Sequence, residues 1–209
     1  MSSTNRGAVR QAHDYYATPP DEIRRFLAAF IQDEPHVQDV ERILDPCAGG
    51  NRAPVEWEYK PGKILTVPPT PMAYPSVLVL PEALPYAEVI TSDIREDSPA
   101  VYQQDFLQPA AWGALDMVIS NPPFVLALEF IQQALDAVIP GGWVVMLLRL
   151  NFLGSKKRKP FFDATPPYRV YVHHERMSFT PDGRADSVEY MHAVWRRGVS
   201  VVDTKLRVI

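Results

Sequence analysis

The tetrapeptide Asn121-Pro122-Pro123-Phe124 follows the apolar run Leu115 to Ser120. An asparagine before proline offers a side-chain carbonyl and a backbone carbonyl, and the fixed φ of the two prolines lets both converge on one amino group. Phe124 adds a flat face. Such a trap holds an exocyclic amino group by both hydrogens while an aromatic ring stacks on a base turned out of its helix. Asn-Pro also initiates turns, so the surroundings decide between the two readings.

Asp45-Pro46-Cys47-Ala48-Gly49-Gly50 ends another short apolar run, and its small residues allow the backbone to approach a ligand closely. Asp93, last residue of Glu88-Val89-Ile90-Thr91-Ser92-Asp93, is suited to accept hydrogen bonds from ribose hydroxyls. Its distance along the chain from Asp45 is more than twice the usual ~20 residues, an excess that an insertion explains. Asp105-Phe106 either pairs an adenine amino group with a stacking ring or is an exposed acid beside a core phenylalanine. Lys156-Lys157-Arg158-Lys159 is the dense basic run of the chain, either a solvated loop or a set of phosphate contacts. Trp57, Tyr59 and Lys60 either touch a duplex or pack over a ligand. His13, His36, His173, His174 and His192 show no metal spacing, and adjacent His173 and His174 must face opposite sides of any strand they share. No metal is expected.

These residues need a scaffold that gathers strand ends. Thr18 reads as an N-cap with Pro19 at the first helical position, and Ile23, Phe26, Leu27, Phe30 and Ile31 then fall on one helical face. Residues 42–45, 88–93, 115–120 and 143–150 read as strands, the last covered on both faces. A helix carrying Leu128, Ile131, Leu135 and Val138 runs up to Pro140-Gly141-Gly142. Strands alternating with helices predict an α/β fold with a doubly wound, mostly parallel sheet. The final third, with YRVYVHH, SVEYMHAVW and VSVVDTKLRVI around the turn Thr180-Pro181-Asp182-Gly183, is expected to be antiparallel. Residues 51–88 hold eight prolines where a simple βαβ unit would place a helix, which predicts a proline-rich inserted loop at about 51–72 and a short helix remnant over 73–84. Residues 1–14 read as a flexible arm and 15–209 as one domain.

The net charge of −4 excludes a protein that coats nucleic acid through a general basic field, so any polyanion contact is local. One cysteine, Cys47, excludes an internal disulfide framework and a multi-cysteine zinc module and fits a reducing compartment. No apolar stretch is long enough to span a bilayer and the first residues carry no apolar leader, so a cytoplasmic, membrane-free protein is expected.

Taken in order, YATPP before a helix, DPCAGG, an acid ending the second strand, Asp105-Phe106 and NPPF resemble the S-adenosylmethionine-dependent amino-methyltransferases of DNA, above all the small N6-adenine enzymes of phages and other mobile elements. The resemblance covers about residues 15–195 and implies a Rossmann-like methyltransferase fold, in a bacterial host cell if the gene is a phage's. It assigns Tyr16, Thr18, Asp45 and Gly49 to the methionine part of S-adenosylmethionine, with Cys47 in the same cofactor-binding turn, Asp93 to its ribose, and Asp105 and Phe106 to its adenine. Asn121, Pro122, Pro123 and Phe124 become the catalytic tetrapeptide, with Asn121 also beside the cofactor. The implied partner is duplex DNA with a flipped adenine, held in part by Lys156, Lys157, Arg158 and Lys159. Pro-Cys also resembles the cysteine pair of C5-cytosine methyltransferases, but no glutamine follows, and Cys47 is read as a small packing residue of the cofactor turn. Alternatives are an RNA guanine-N2 or protein glutamine-N5 methyltransferase, for which NPPF also serves, a cytosine-N4 enzyme, and a cofactor- or DNA-binding module without catalysis. Target sequence and oligomeric state are left open.

Overall fold

A computed structural model describes residues 17–69, 76–179 and 185–209. The expected arm at 1–14, Tyr16 and the turn at 180–183 lie outside the described residues, as do the side chains of Trp57, Tyr59 and Lys60.

The first helix, α1 (Pro20–Asp33), starts with proline and two acids, Asp21 and Glu22, which suit the N-terminal end of the helix dipole. Its cap is Pro19, one residue later than expected, and Thr18 makes no capping bond but lies buried just ahead of the helix. Ile23, Phe26, Leu27 and Phe30 form its buried face.

The main sheet has eight strands in the order β10-β8-β9-β7-β6-β1-β4-β5. These are β1 (Arg42–Asp45), β4 (Glu88–Asp93), β5 (Tyr102–Gln103), β6 (Leu115–Ser120), β7 (Val138–Arg149), β8 (Arg169–Val172), β9 (Tyr190–Arg196) and β10 (Lys205–Val208). Pairing is parallel between β1 and β4, β1 and β6, β4 and β5, and β6 and β7. Strand β9 is antiparallel to both β7 and β8, while β10 is parallel to β8. The antiparallel character expected of the final third is thus carried by β9 alone.

Side chains alternate across the sheet as period-two geometry demands. Ile43, Met117, Ile119, Trp143, Val145 and Val194 face α1 and the short helix α2 (Ser76–Ala83). Leu44, Val118, Val144, Met146, Leu148, Ala193 and Trp195 face α3 (Ala127–Ala137), which inserts Phe130, Ile131 and Ala134. Helix α3 is one residue shorter than predicted, because Val138 already opens β7. A last short helix, α4 (Lys159–Ala164), follows the basic run.

The proline-rich insertion is not the loop that its composition suggested. Residues Val55–Lys60 (β2) and Lys63–Val67 (β3) form a separate antiparallel hairpin closed by Pro61-Gly62, with Gly62 at φ +70°. Pro54, Pro61, Pro68 and Pro69 sit outside the paired strands, where a missing N–H does no harm. The remnant helix is confirmed over Ser76–Ala83, with Pro81 inside it.

Candidate active site

From β1 the chain moves to β4 and β5 on one side and returns through β6 on the other, which makes the β1/β6 boundary the switch point of the sheet. Open α/β sheets place ligands in the crevice at the carboxyl ends of strands at such a point. At this rim, neighbouring strands β4, β1, β6 and β7 deliver Asp93, Asp45, Asn121 and Arg149.

Asp45 is buried, and its Oδ1 accepts the Cys47 N–H (3.1 Å) and the Ser120 hydroxyl (2.8 Å). The second of these bonds bridges the switch point. Desolvation pushes the Asp45 carboxyl up to about 6, donation from Ser120, Cys47 and Ser76 opposes the shift, and the charge of Asp93 adds to it. No described cation pairs with Asp45. Gly49 (φ +67°) and Gly50 (φ +79°) turn the chain through a region that side chains with a Cβ avoid. Burial pushes the Cys47 thiol upward, with Asp45 and Asp93 acting in the same sense. A thiol held protonated is a poor nucleophile, in line with Cys47 as a packing residue.

Asp93 faces the glycine turn. Its Oδ2 accepts the Gly49 N–H (2.8 Å), while its Oδ1 accepts the Arg95 N–H (2.9 Å) and pairs with the Arg95 guanidinium (3.4 Å). Arg95 also donates to the Gly50 carbonyl (2.6 Å), and the Ser98 hydroxyl donates to the Gly49 carbonyl (2.5 Å). In this conformation Asp93 shapes the turn, and each carboxylate oxygen keeps lone-pair capacity for a ligand hydroxyl.

Asp105 is half-buried and accepts the Leu107 N–H (3.0 Å), forming a local turn. Phe106 departs from the expected stacking role. Its ring is 1% exposed and packs on Phe130 at 5.4 Å, which is the core alternative, while Ile94, Val101 and Tyr102 nearby in the chain are exposed.

Asn121 and Pro123 are half-buried and Pro122 is buried at the end of β6. Phe124 starts a 3-10 turn, Phe124–Leu126, that leads into α3. Its ring lies 5.9 Å from Tyr190, which lies 4.9 Å from Phe179 and donates its hydroxyl to Asp186 (2.6 Å). Arg149 reaches over Phe124 at 4.9 Å. Sequence reasoning passed over Arg149, Ser120 and Tyr190. Ser120 alone carried a signal, as the last residue of the run that leads into Asn121; Arg149 and Tyr190 meet the site only through the pairing of β7 with β9.

The basic run divides. Lys156 and Lys157 are exposed. Arg158 turns inward, donating to the Phe152 carbonyl (2.7 Å) and stacking on that ring (4.2 Å), and Lys159 pairs with Asp163 (2.7 Å). Among the histidines, His173 is buried and His174 exposed, as alternation predicted. His173 Nδ1 lies 2.9 Å from Glu22 and its Nε2 lies 2.8 Å from His192 Nδ1, tying α1 to β9. Among the described residues no group of three or more side chains is set to hold a metal, and no helix is long and apolar enough to cross a membrane.

No protein-family model matches the chain. No curated protein sequence matches it either. Solved structures do. A candidate class I S-adenosylmethionine-dependent methyltransferase from Listeria monocytogenes superposes with a TM-score of 0.60 at 15% identity, covering 94% of this chain and 66% of its own. The methyltransferase subunit of a type I restriction-modification system from Streptococcus thermophilus gives 0.60 at 12% identity, covering 92% and 47%. A candidate RNA methyltransferase from Pyrococcus horikoshii gives 0.57 at 12%, covering 94% of each chain. The chain therefore spans just under two thirds of the first of these proteins and about half of the second. The parallel sheet with its single reversed strand β9, flanked by helices on both faces, is the Rossmann-like methyltransferase fold.

Proposed function

We propose that this protein transfers a methyl group from S-adenosylmethionine to an exocyclic amino group of a base in DNA, adenine N6 being the leading target. The observation that carries the reading is the meeting of Asn121-Pro122-Pro123-Phe124 with the buried Asp45, which no described cation pairs, across the switch point, joined by the Ser120 bond. S-adenosylmethionine supplies an electrophilic methyl group on a sulfonium centre. The Gly49–Gly50 turn gives its methionine part a close backbone surface, and the Asp45 carboxylate suits a ligand ammonium group. Asp93 holds the turn in shape.

Asn121 Oδ1 and the Pro122 carbonyl accept the two hydrogens of the target amino group, which aims its nitrogen along the line of displacement. Phe124, with Tyr190 behind it, offers the stacking face for a flipped base. Exposed Lys156 and Lys157 follow β7 on the same rim and suit phosphate contacts. The likeness to a restriction-modification methyltransferase subunit supports DNA as the class of substrate. The test is transfer of labelled methyl from S-adenosylmethionine to duplex DNA, single-stranded RNA and protein in parallel. DNA should be labelled; label on RNA or protein alone would replace this reading.

A further inference from the structure

Arg149 ends β7 and pairs across to Tyr190 of β9. Its guanidinium carbon lies 4.9 Å from the centre of the Phe124 ring, so it shares one wall with Phe124, Tyr190 and Phe179. Its guanidinium reaches the Tyr190 hydroxyl, but its Nε is buried and makes no hydrogen bond, and no carboxylate among the described residues pairs with it. Two other arginines toward this end of the molecule are neutralised, Arg95 by Asp93 and Asp97 and Arg176 by Glu189. The acid of this wall, Asp186, accepts the Tyr190 hydroxyl. A buried N–H on a charged group without an acceptor is more unfavourable than a neutral one, and native proteins rarely leave one so. An acceptor on a bound ligand would satisfy this Nε.

We propose that Arg149 positions the target base by donating to the ring nitrogen that flanks the reacting amino group, N1 or N7 for adenine. The assignment rests on the amino-methyltransferase reading above. Asn121 and Pro122 then accept the amino hydrogens while Arg149 supplies the donor beside them, so that one edge of the base is read as a unit. The sign of the charge fixes where this residue acts. The amino nitrogen gains positive charge as it takes the methyl group, and a neighbouring guanidinium opposes that gain. Arg149 therefore acts on binding and register of the base and gives no help to the transfer step itself.

The experiment is a single-turnover cycle with wild type and Arg149→Met on duplexes in which all adenines are natural, 7-deaza or 1-deaza. Losing the acceptor that Arg149 reads should raise the wild-type half-saturating concentration by ~10- to 100-fold, the weight of one hydrogen bond to a charged group. Arg149→Met should show that loss already on natural adenine and no further loss on the same analogue, and its saturating rate should not fall. Comparing the two proteins on each duplex cancels changes in duplex stability, and the analogue arm with wild type does not depend on a variant folding. Losses that multiply independently on both analogues overturn the assignment, as does a fall in the saturating rate. Independent losses together with a flatter salt dependence would give Arg149 to a phosphate and overturn it equally. Absence of methyl transfer by wild type to natural duplex would instead overturn the functional reading itself.

Discussion

Cofactor binding should weaken in acid because of Asp45. Burial pushes this carboxyl up to about 6, whereas an unfolded aspartate titrates near ~3.9. At ~1.36 kcal/mol per pH unit, the ionised form is therefore disfavoured by about 3 kcal/mol in the folded, ligand-free protein. For an acid shifted in this direction, the favourable contribution to stability exists at low pH and is lost as pH rises from about 4 through 6. A ligand ammonium beside Asp45 favours the carboxylate and reverses the shift. Binding then expels a proton wherever the free protein holds one. Affinity should be level above about pH 7 and fall about tenfold for each unit below 6. Calorimetric titration with S-adenosylmethionine in buffers of different ionisation heat should find about half a proton released near pH 6. Asp45→Asn keeps an oxygen for the Cys47 N–H and the Ser120 hydroxyl. It should be more stable than wild type at pH 7.5, yet bind the cofactor weakly and without pH dependence. Wild-type affinity that stays flat down to pH 5, with no proton exchange, refutes the reasoning.

Asn121→Ala should abolish methyl transfer while cofactor affinity and melting temperature stay near wild type, because the half-buried side chain addresses the base and not the core; substantial residual turnover would remove the amino trap. Replacing Lys156 and Lys157 by alanine should flatten the slope of log affinity for duplex DNA against log salt by up to ~2, and an unchanged slope would take both off the DNA surface. Arg158→Ala should instead lower stability by about 1–3 kcal/mol through loss of its bond to the Phe152 carbonyl and leave the slope alone, as thermal melts and salt titrations can check. Burial, then the charges of Arg25 and His174, hold His173 down to about 4. A depressed histidine contributes stability that is complete above its unfolded value near 6.5 and lost as pH falls toward 4, so the His173 share of the urea-unfolding free energy should fall by about 1.6 kcal/mol between pH 6.5 and 5, against an opposite change at Asp45 that wild type and a His173 variant have in common. His173→Gln should reduce that loss, and equal losses in the two proteins would contradict the role of the Glu22–His173–His192 chain.

Strand ends were legible because each apolar run stops at a residue that cannot continue it. Asp45, Asp93 and Asn121 were all placed from that pattern, and the sheet brings their strands side by side. The hairpin was missed because a count of prolines outweighed alternation. Val55–Lys60 alternates up to Pro61-Gly62, a turn dipeptide, and Lys63–Val67 returns along it, with Pro54, Pro61, Pro68 and Pro69 outside both strands. Phe106 could not be settled from sequence, since a core ring and a stacking ring have the same neighbours in the chain, and burial against Phe130 decides it. The basic run misled for the opposite reason. Four adjacent cations look equivalent, but α4 pairs Lys159 with Asp163 while Phe152 draws Arg158 inward. Arg149 had no signature at all, because its meaning comes from Phe124 and Tyr190, which lie far from it in sequence and meet it only through the pairing of β7 with β9.

Everything proposed for the Asn121–Phe124 site turns on amino methylation of a DNA base. Its most direct test is to incubate duplex DNA with the protein and S-adenosylmethionine, digest to nucleosides, and identify the modified one by mass, with Asn121→Ala alongside. N6-methyldeoxyadenosine should form with wild type and be absent with the variant. Unmodified DNA, or a methyl group on cytosine C5, would contradict it.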